Sequence, residues 1–180
     1  VFRRKLKVEA RGDLQVSGAF TAPVIAGNAQ IGIAGEVIEL DYGDAGQPRS
    51  LRISPITDAP LDAKACLQWK RYDLQHGLVR LPVEQREQWT PQQLSLERLP
   101  AFSVKKGCYP GQEIVARTHF LGKAKRGIVL FEAGAAVEAG MEVSDGERVV
   151  GAVISVSDGD TTLALAVLPL DRPAGVLHAG

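Results

Sequence analysis

Eight consecutive residues, Lys106-Gly107-Cys108-Tyr109-Pro110-Gly111-Gln112-Glu113, put one of the two cysteines where a thiol can react. Gly107 and Gly111 permit a tight turn and close approach of the backbone to a partner. The residues that follow read as a helix from near Gly111 to Leu121, with Pro110 near its first position and Gly122 after its end. The positive end of that helix dipole, with Lys105 and Lys106 alongside, favours the thiolate, the nucleophilic and oxidisable form. Free amides at a helix start also hold a carboxylate or a phosphate. Glu113 falls in the first turn, where an anion is favourable, and is equally placed to pair with Lys106. A second reading makes Cys108 a small buried hydrophobe in a turn shaped by glycines. The motif is not a phosphate-binding P-loop, because only three residues separate its glycines and no Lys-Ser/Thr follows.

The elements that position this turn are read from periodicity. Phe2 to Val8, Asp13 to Ala19, Ile31 to Leu40 (weakened by Gly32 and Gly35) and Leu51 to Ile53 read as strands, with a loop over 42–48. A helix is expected from near Asp58, with Asp58 as cap and Pro60 in its first turn. Leu61, Ala65, Trp69 and Tyr72 would form its apolar face, and His76-Gly77 its end with Gly at C′. Thr90-Pro91-Gln92-Gln93 has the form of a capping box opening a second helix, which would bury Leu94, Leu96 and Leu99 before Pro100. After Lys123 the chain becomes all-β, with strands at Gly127 to Phe131, Met141 to Val143, Arg148 to Ser155 and Thr162 to Leu168. Asp145-Gly146 and Asp158-Gly159 are hairpin turns. The expected architecture is α+β, with residues 1–122 as one domain and 123–180 as a small barrel or sandwich.

Composition narrows the function. The chain has 180 residues, 21 Lys+Arg and 21 Asp+Glu, so its formal net charge is zero. No overall field draws it to nucleic acid or an anionic membrane. No apolar run approaches the ~20 residues of a membrane span, and no apolar segment follows the first charges as in a signal peptide. Cys66 and Cys108 are too few for a disulfide scaffold and lack metal-binding spacing, which suits a reducing cytoplasm. The three scattered His residues offer no metal pair. Cys66, mid-helix, reads as structural. Lys105, Lys106, Arg117, Lys123, Lys125 and Arg126 fall in a stretch with one acid, Glu113. That stretch is either a solvated basic face or a site for an anionic tail or phosphate. Arg3, Arg4, Lys5 and Lys7 form a second basic stretch, which a strand would split between two faces. The start at Val1, with Met141 the only Met, suggests the C-terminal part of a longer protein.

The segment Lys106 to Glu113 resembles K-G-C-Y-x-G-Q-E, the signature of the YgfZ-type folate-binding proteins related to the glycine-cleavage aminomethyltransferase. The likeness continues through Ile114-Val115-Ala116-Arg117 and Gly122-Lys123-Ala124-Lys125-Arg126. It extends upstream to Trp69 through Gly77, to Pro91-Gln92, and to Phe2-Arg3-Arg4-Lys5, where Arg4 replaces the usual Ser. The resemblance implies part of a folate-binding, aminomethyltransferase-like α+β domain over residues 1–122 and a C-terminal β-barrel domain over 123–180, the first third of the family pattern being absent. It implies tetrahydrofolate as cofactor and Cys108 as the functional cysteine. Lys106, Gly107, Tyr109, Gly111, Gln112, Glu113 and Arg117 are the other signature positions, and the resemblance sets the helix of Trp69 and Tyr72 near the folate site, so that these rings are either core residues or a platform for the pterin. Members of the family support assembly or repair of iron–sulfur enzymes, including one that thiomethylates tRNA, so such enzymes or their assembly machinery are the implied partners. Two other functions remain open at this level. One is a folate-dependent one-carbon transferase using Glu113 as acid or base. The other is an RNA-binding module using Lys123, Lys125 and Arg126.

Overall fold

In a computed structural model, residues 8–27, 31–122 and 124–180 are described. The strand expected at Phe2 to Val8 therefore falls almost wholly outside the described residues, and the basic stretch of Arg3, Arg4, Lys5 and Lys7 wholly so, as does Lys123. The chain divides into two compact units, Val1–Asp62 and Ala63–Gly180, and is mixed in class, with two antiparallel sheets and two α-helices among the described residues.

The first unit is a four-stranded sheet of β1 (Leu14–Ala19), β2 (Ile31–Ala34), β3 (Val37–Asp41) and β4 (Ser50–Pro55), in the order β1-β4-β3-β2. The single strand expected from Ile31 to Leu40 is instead the β2–β3 hairpin, in which Ala34 pairs with Val37 across Gly35-Glu36. Gly35 has φ +59° and Glu36 does not share it, the pattern of a two-residue turn with Gly in the first central position. A charged group sits at the centre of the sheet. Glu39 is fully buried; its Oε2 accepts the Ile25 and Ala26 amides, and its Oε1 accepts Arg52 Nε at 2.8 Å. Burial pushes the Glu39 carboxyl up, but those two amides and the guanidinium outweigh it and bring it down to about 2.

The second unit contains α1 (Ala63–Gln75), α2 (Gln112–Leu121), β5 (Arg126–Ala133), β6 (Glu142–Ser144), β7 (Val149–Ser157), β8 (Thr162–Pro169) and β9 (His178–Ala179). Its sheet runs β5-β8-β7-β6-β9 without closing into a barrel among the described residues. Strand β8 is the spine. Leu163, Leu165 and Val167 enter one core cluster with Leu74, Leu94 and Ile154. Ala164, Ala166 and Leu168 enter another with Val143, Val150 and Val153. The period-2 alternation therefore buries both faces of β8. The hairpins expected at Asp145-Gly146 and Asp158-Gly159 join β6 to β7 and β7 to β8.

Helix α1 begins at Ala63, not near Asp58, and Leu61 is 82% exposed outside it. Cap and proline signals near Asp58 do not extend the helix because no apolar side chain there reaches a core. The helix end matches expectation: Gly77 (φ +62°) donates to Leu74 O at 2.9 Å and Leu78 to Asp73 O at 2.7 Å, the paired bonds of a Schellman turn. The second helix, expected from Thr90, is a single turn. Its capping box forms, with Thr90 N–H on Gln93 Oε1 at 2.9 Å and Gln93 N–H on Thr90 Oγ1 at 3.3 Å. Ser95 then adopts φ +53° and closes a Schellman turn at once, through Ser95 N to Gln92 O and Leu96 N to Pro91 O. A 3₁₀ turn, Leu96–Arg98, follows. Leu94 is buried, Leu96 packs against the first core cluster, and Leu99 is 37% exposed.

Candidate functional site

The signature residues form a turn leading into α2. Gly111, at φ +80°, is the N-cap residue, so Pro110 precedes the helix and does not occupy its first position. The helix start is held from within the signature. Gln112 Oε1 accepts the Tyr109 amide at 3.3 Å and Gln112 N–H donates to Tyr109 O at 3.1 Å. A side chain reaching back three residues in this way does half the work of a capping box. Lys106 Nζ lies 4.7 Å from the centroid of the Tyr109 ring, a cation–π contact. Its charge is therefore directed at Tyr109, and no ion pair joins it to Glu113 among the described residues. The Tyr109 hydroxyl is buried and has no partner among the described residues.

Cys108 is exposed, so it is not a small core residue, whereas Cys66 on α1 is half-buried. Gly107, Cys108 and Gly111 thus present an open thiol on a turn whose two ends are fixed by Lys106–Tyr109 and Tyr109–Gln112. Such a thiol is accessible to an oxidant, a second thiol or a soft metal species. Glu113 and Arg117 are exposed on α2, on the same side as Ile114, Phe120 and Leu121, while Val115 is buried beneath. The His119 Nδ1 lies 3.2 Å from Glu97 Oε1. Behind α2, Gln92 Nε2 donates to Val115 O at 2.9 Å, tying the 90–95 turn to the helix.

The two aromatic candidates on α1 differ. Tyr72 is buried and its ring stacks on His76, with centroids 3.9 Å apart and planes 15° off parallel. Trp69 is half-buried and keeps accessible surface. Lys105, Lys106, Arg117 and Lys125 are exposed and Arg126 is half-buried. Among the described residues no three His, Cys, Asp or Glu side chains converge on a metal position, and no helix is long and apolar enough to cross a membrane. What sequence reading missed lies between distant segments: residues 90–98 stand against the second half of α2 and residues 124–126, walling two cavities whose linings include Arg98, Lys125 and Arg126. Only the capping box hinted that the first of these segments would be rigid.

Comparison with known proteins places these features. No family model matches the chain. It is similar to two curated proteins described as "tRNA-modifying protein YgfZ" from two strains of Aliivibrio fischeri, at 37% and 35% identity. Each match covers 130 residues, 66% of this chain and 39% of the relative, so the chain spans well under half the length of those relatives.

Proposed function

The chain belongs to the YgfZ-type family, and on that premise we propose that it is part of a folate-binding accessory protein that supports iron–sulfur cluster assembly or repair and, through it, tRNA modification. In this reading residues 1–122 belong to the folate-binding domain and residues 123–180 to the C-terminal β-barrel domain. The protein works in the cytoplasm, with iron–sulfur enzymes or their assembly machinery as clients.

The observation that carries the reading is the exposed Cys108 on a turn matching the family signature at every fixed position. An exposed thiol adds nothing to core packing, and its accessibility suits a chemical role. The turn is braced by Lys106, Tyr109 and Gln112, which hold the thiol at a set position while leaving it open. Tetrahydrofolate supplies a pterin face and an anionic tail. Of the residues present, Trp69 retains surface for stacking, and the exposed cations Lys105, Lys106 and Arg117 suit the carboxylates of the tail. Tyr72, already stacked on His76, supports the wall and not the ligand. The thiol holds or shields a labile cluster intermediate, which is cargo and not a resident cofactor.

The test is made in cells lacking their own family protein, by measuring thiomethylated tRNA after supplying a full-length family protein that carries this turn. Replacing Cys108 by Ala is expected to leave the folded protein at its normal level and to abolish restoration of the modification. A Cys108→Ala protein that restores it as well as the parent removes the thiol from the account.

A further inference from the structure

Against the second half of α2 lie two adjoining cavities of about 380 and about 350 Å³, which share Thr118, Ala124 and Arg126 on their walls and include no signature residue. Arg98 and Arg126 are each anchored by a main-chain carbonyl. Arg98 Nη2 donates to Gly77 O, and Arg126 Nη1 donates to Val150 O at 2.7 Å. Neither forms an ion pair among the described residues. A neutral carbonyl fixes a guanidinium without neutralising it, so both keep their charge and their remaining N–H donors. Arg52 and Arg80 differ, since each lies on a buried carboxylate, Glu39 or Asp73.

The perches are built into the fold. A Cβ on Gly77 would run into Arg98, and one on Gly127 would stand 3.1 Å from Ser95 Oγ. Ser95 Oγ accepts the Ile128 amide at 3.2 Å, which leaves its hydroxyl proton to donate. Lys125 adds a third cation to the wall of the smaller cavity. The wall also carries one carboxylate, Glu97, whose Oε1 lies 3.2 Å from His119 Nδ1. Gln92, 5% exposed, also lines the larger cavity; its Nε2 is fixed on Val115 O while its Oε1 is buried without a donor.

Fixed donors on a wall where three cations, Arg98, Arg126 and Lys125, face one carboxylate, Glu97, suit a tetrahedral oxyanion. We propose that these cavities form a phosphate-binding site, with Arg98 and Arg126 holding the phosphate oxygens, the hydroxyls of Ser95 and Thr118 donating to them, and Lys125 adding charge at the mouth. The site is separate from the signature turn and does not rest on the folate reading.

The test is an amide-resolved NMR titration of the protein with inorganic phosphate, a ribonucleoside monophosphate and a single-stranded RNA oligomer, each against sodium chloride at matched ionic strength. Saturable shifts are expected at Ser95, Thr118 and Gly127. Apparent affinity should fall about tenfold in Arg126→Gln, the loss of one charge-assisted contact set. It should fall less in Lys125→Gln, an exposed position that leaves packing intact, and stay unchanged in Arg148→Gln on the β6–β7 turn. Equal competition by phosphate and the mononucleotide identifies a free phosphate ester as the ligand; much tighter binding of the oligomer identifies a nucleic-acid backbone. Absence of saturable shifts with all three probes, shifts reproduced by sodium chloride, or shifts undiminished in both Arg126→Gln and Lys125→Gln would overturn the site.

Discussion

Replacing Gly77 by Ala tests whether the turn after α1 and the Arg98 perch form one unit. Gly77 has φ +62°, a conformation that costs an L-residue about 1–2 kcal/mol. The new methyl would also meet Arg98 Nη2 and displace the bond from Arg98 to Gly77 O. A hydrogen bond from a charged donor contributes about 1.5–3 kcal/mol. Ile128 Cδ1, 2.9 Å from the added Cβ, is the flexible end of its side chain and can shift at little cost. Summing the backbone and hydrogen-bond terms, Gly77→Ala should destabilise the protein by about 2.5–5 kcal/mol. In an Arg98→Ala background the bond is already gone, and the same change should cost only about 1–2 kcal/mol. Urea unfolding of the four proteins, with the denaturant slope held constant, gives a coupling energy expected near 1.5–3 kcal/mol. Additivity within about 0.5 kcal/mol would show that Arg98 is not seated on Gly77 and would refute the reasoning.

Other outcomes follow from burial and charge. Leu165→Ala, at a 1% exposed position on the spine strand, should cost about 2–5 kcal/mol in chemical denaturation; a loss under about 1 kcal/mol would mean that the first core cluster is loosely packed. The Glu39 carboxyl, lowered from 4.5 to about 2, contributes stability that is present above pH 4.5 and is lost as pH falls through about 2. Acid titration of unfolding free energy should therefore be flatter over that window in Glu39→Gln than in the parent, and parallel curves would contradict the buried carboxylate. A thiol-specific chromogenic reagent should modify exposed Cys108 well before half-buried Cys66, with the fast phase absent in Cys108→Ala. That variant should also unfold within about 0.5 kcal/mol of the parent, as an exposed position should.

Much of this arrangement could be read from sequence where the signal was local and periodic. The strands of 126–169, the Gly77 end of α1 and the span of α2 follow from alternation, a C′ glycine and flanking glycines. Failures came where tertiary context decided. Asp58 and Pro60 are good helix openers, yet with Leu61 exposed no packing draws the helix back from Ala63. The Thr90 capping box is real, but Ser95 turns left-handed to put its hydroxyl on the Ile128 amide, and the helix ends after one turn. Gly35 divides what reads as one strand because a positive φ, not weak packing, is what it supplies. The signature turn was visible as a motif; its bracing by Lys106 on Tyr109 required side-chain placement. The two cavities were invisible, since Arg98 and Arg126 come to line one wall only through folding.

The central claim is tested most directly by titrating tetrahydrofolate into a full-length family relative and into this 180-residue chain side by side, followed by tryptophan fluorescence and calorimetry. Saturable one-to-one binding by the relative is expected. Absence of saturable binding by the relative would contradict the account and remove folate from it.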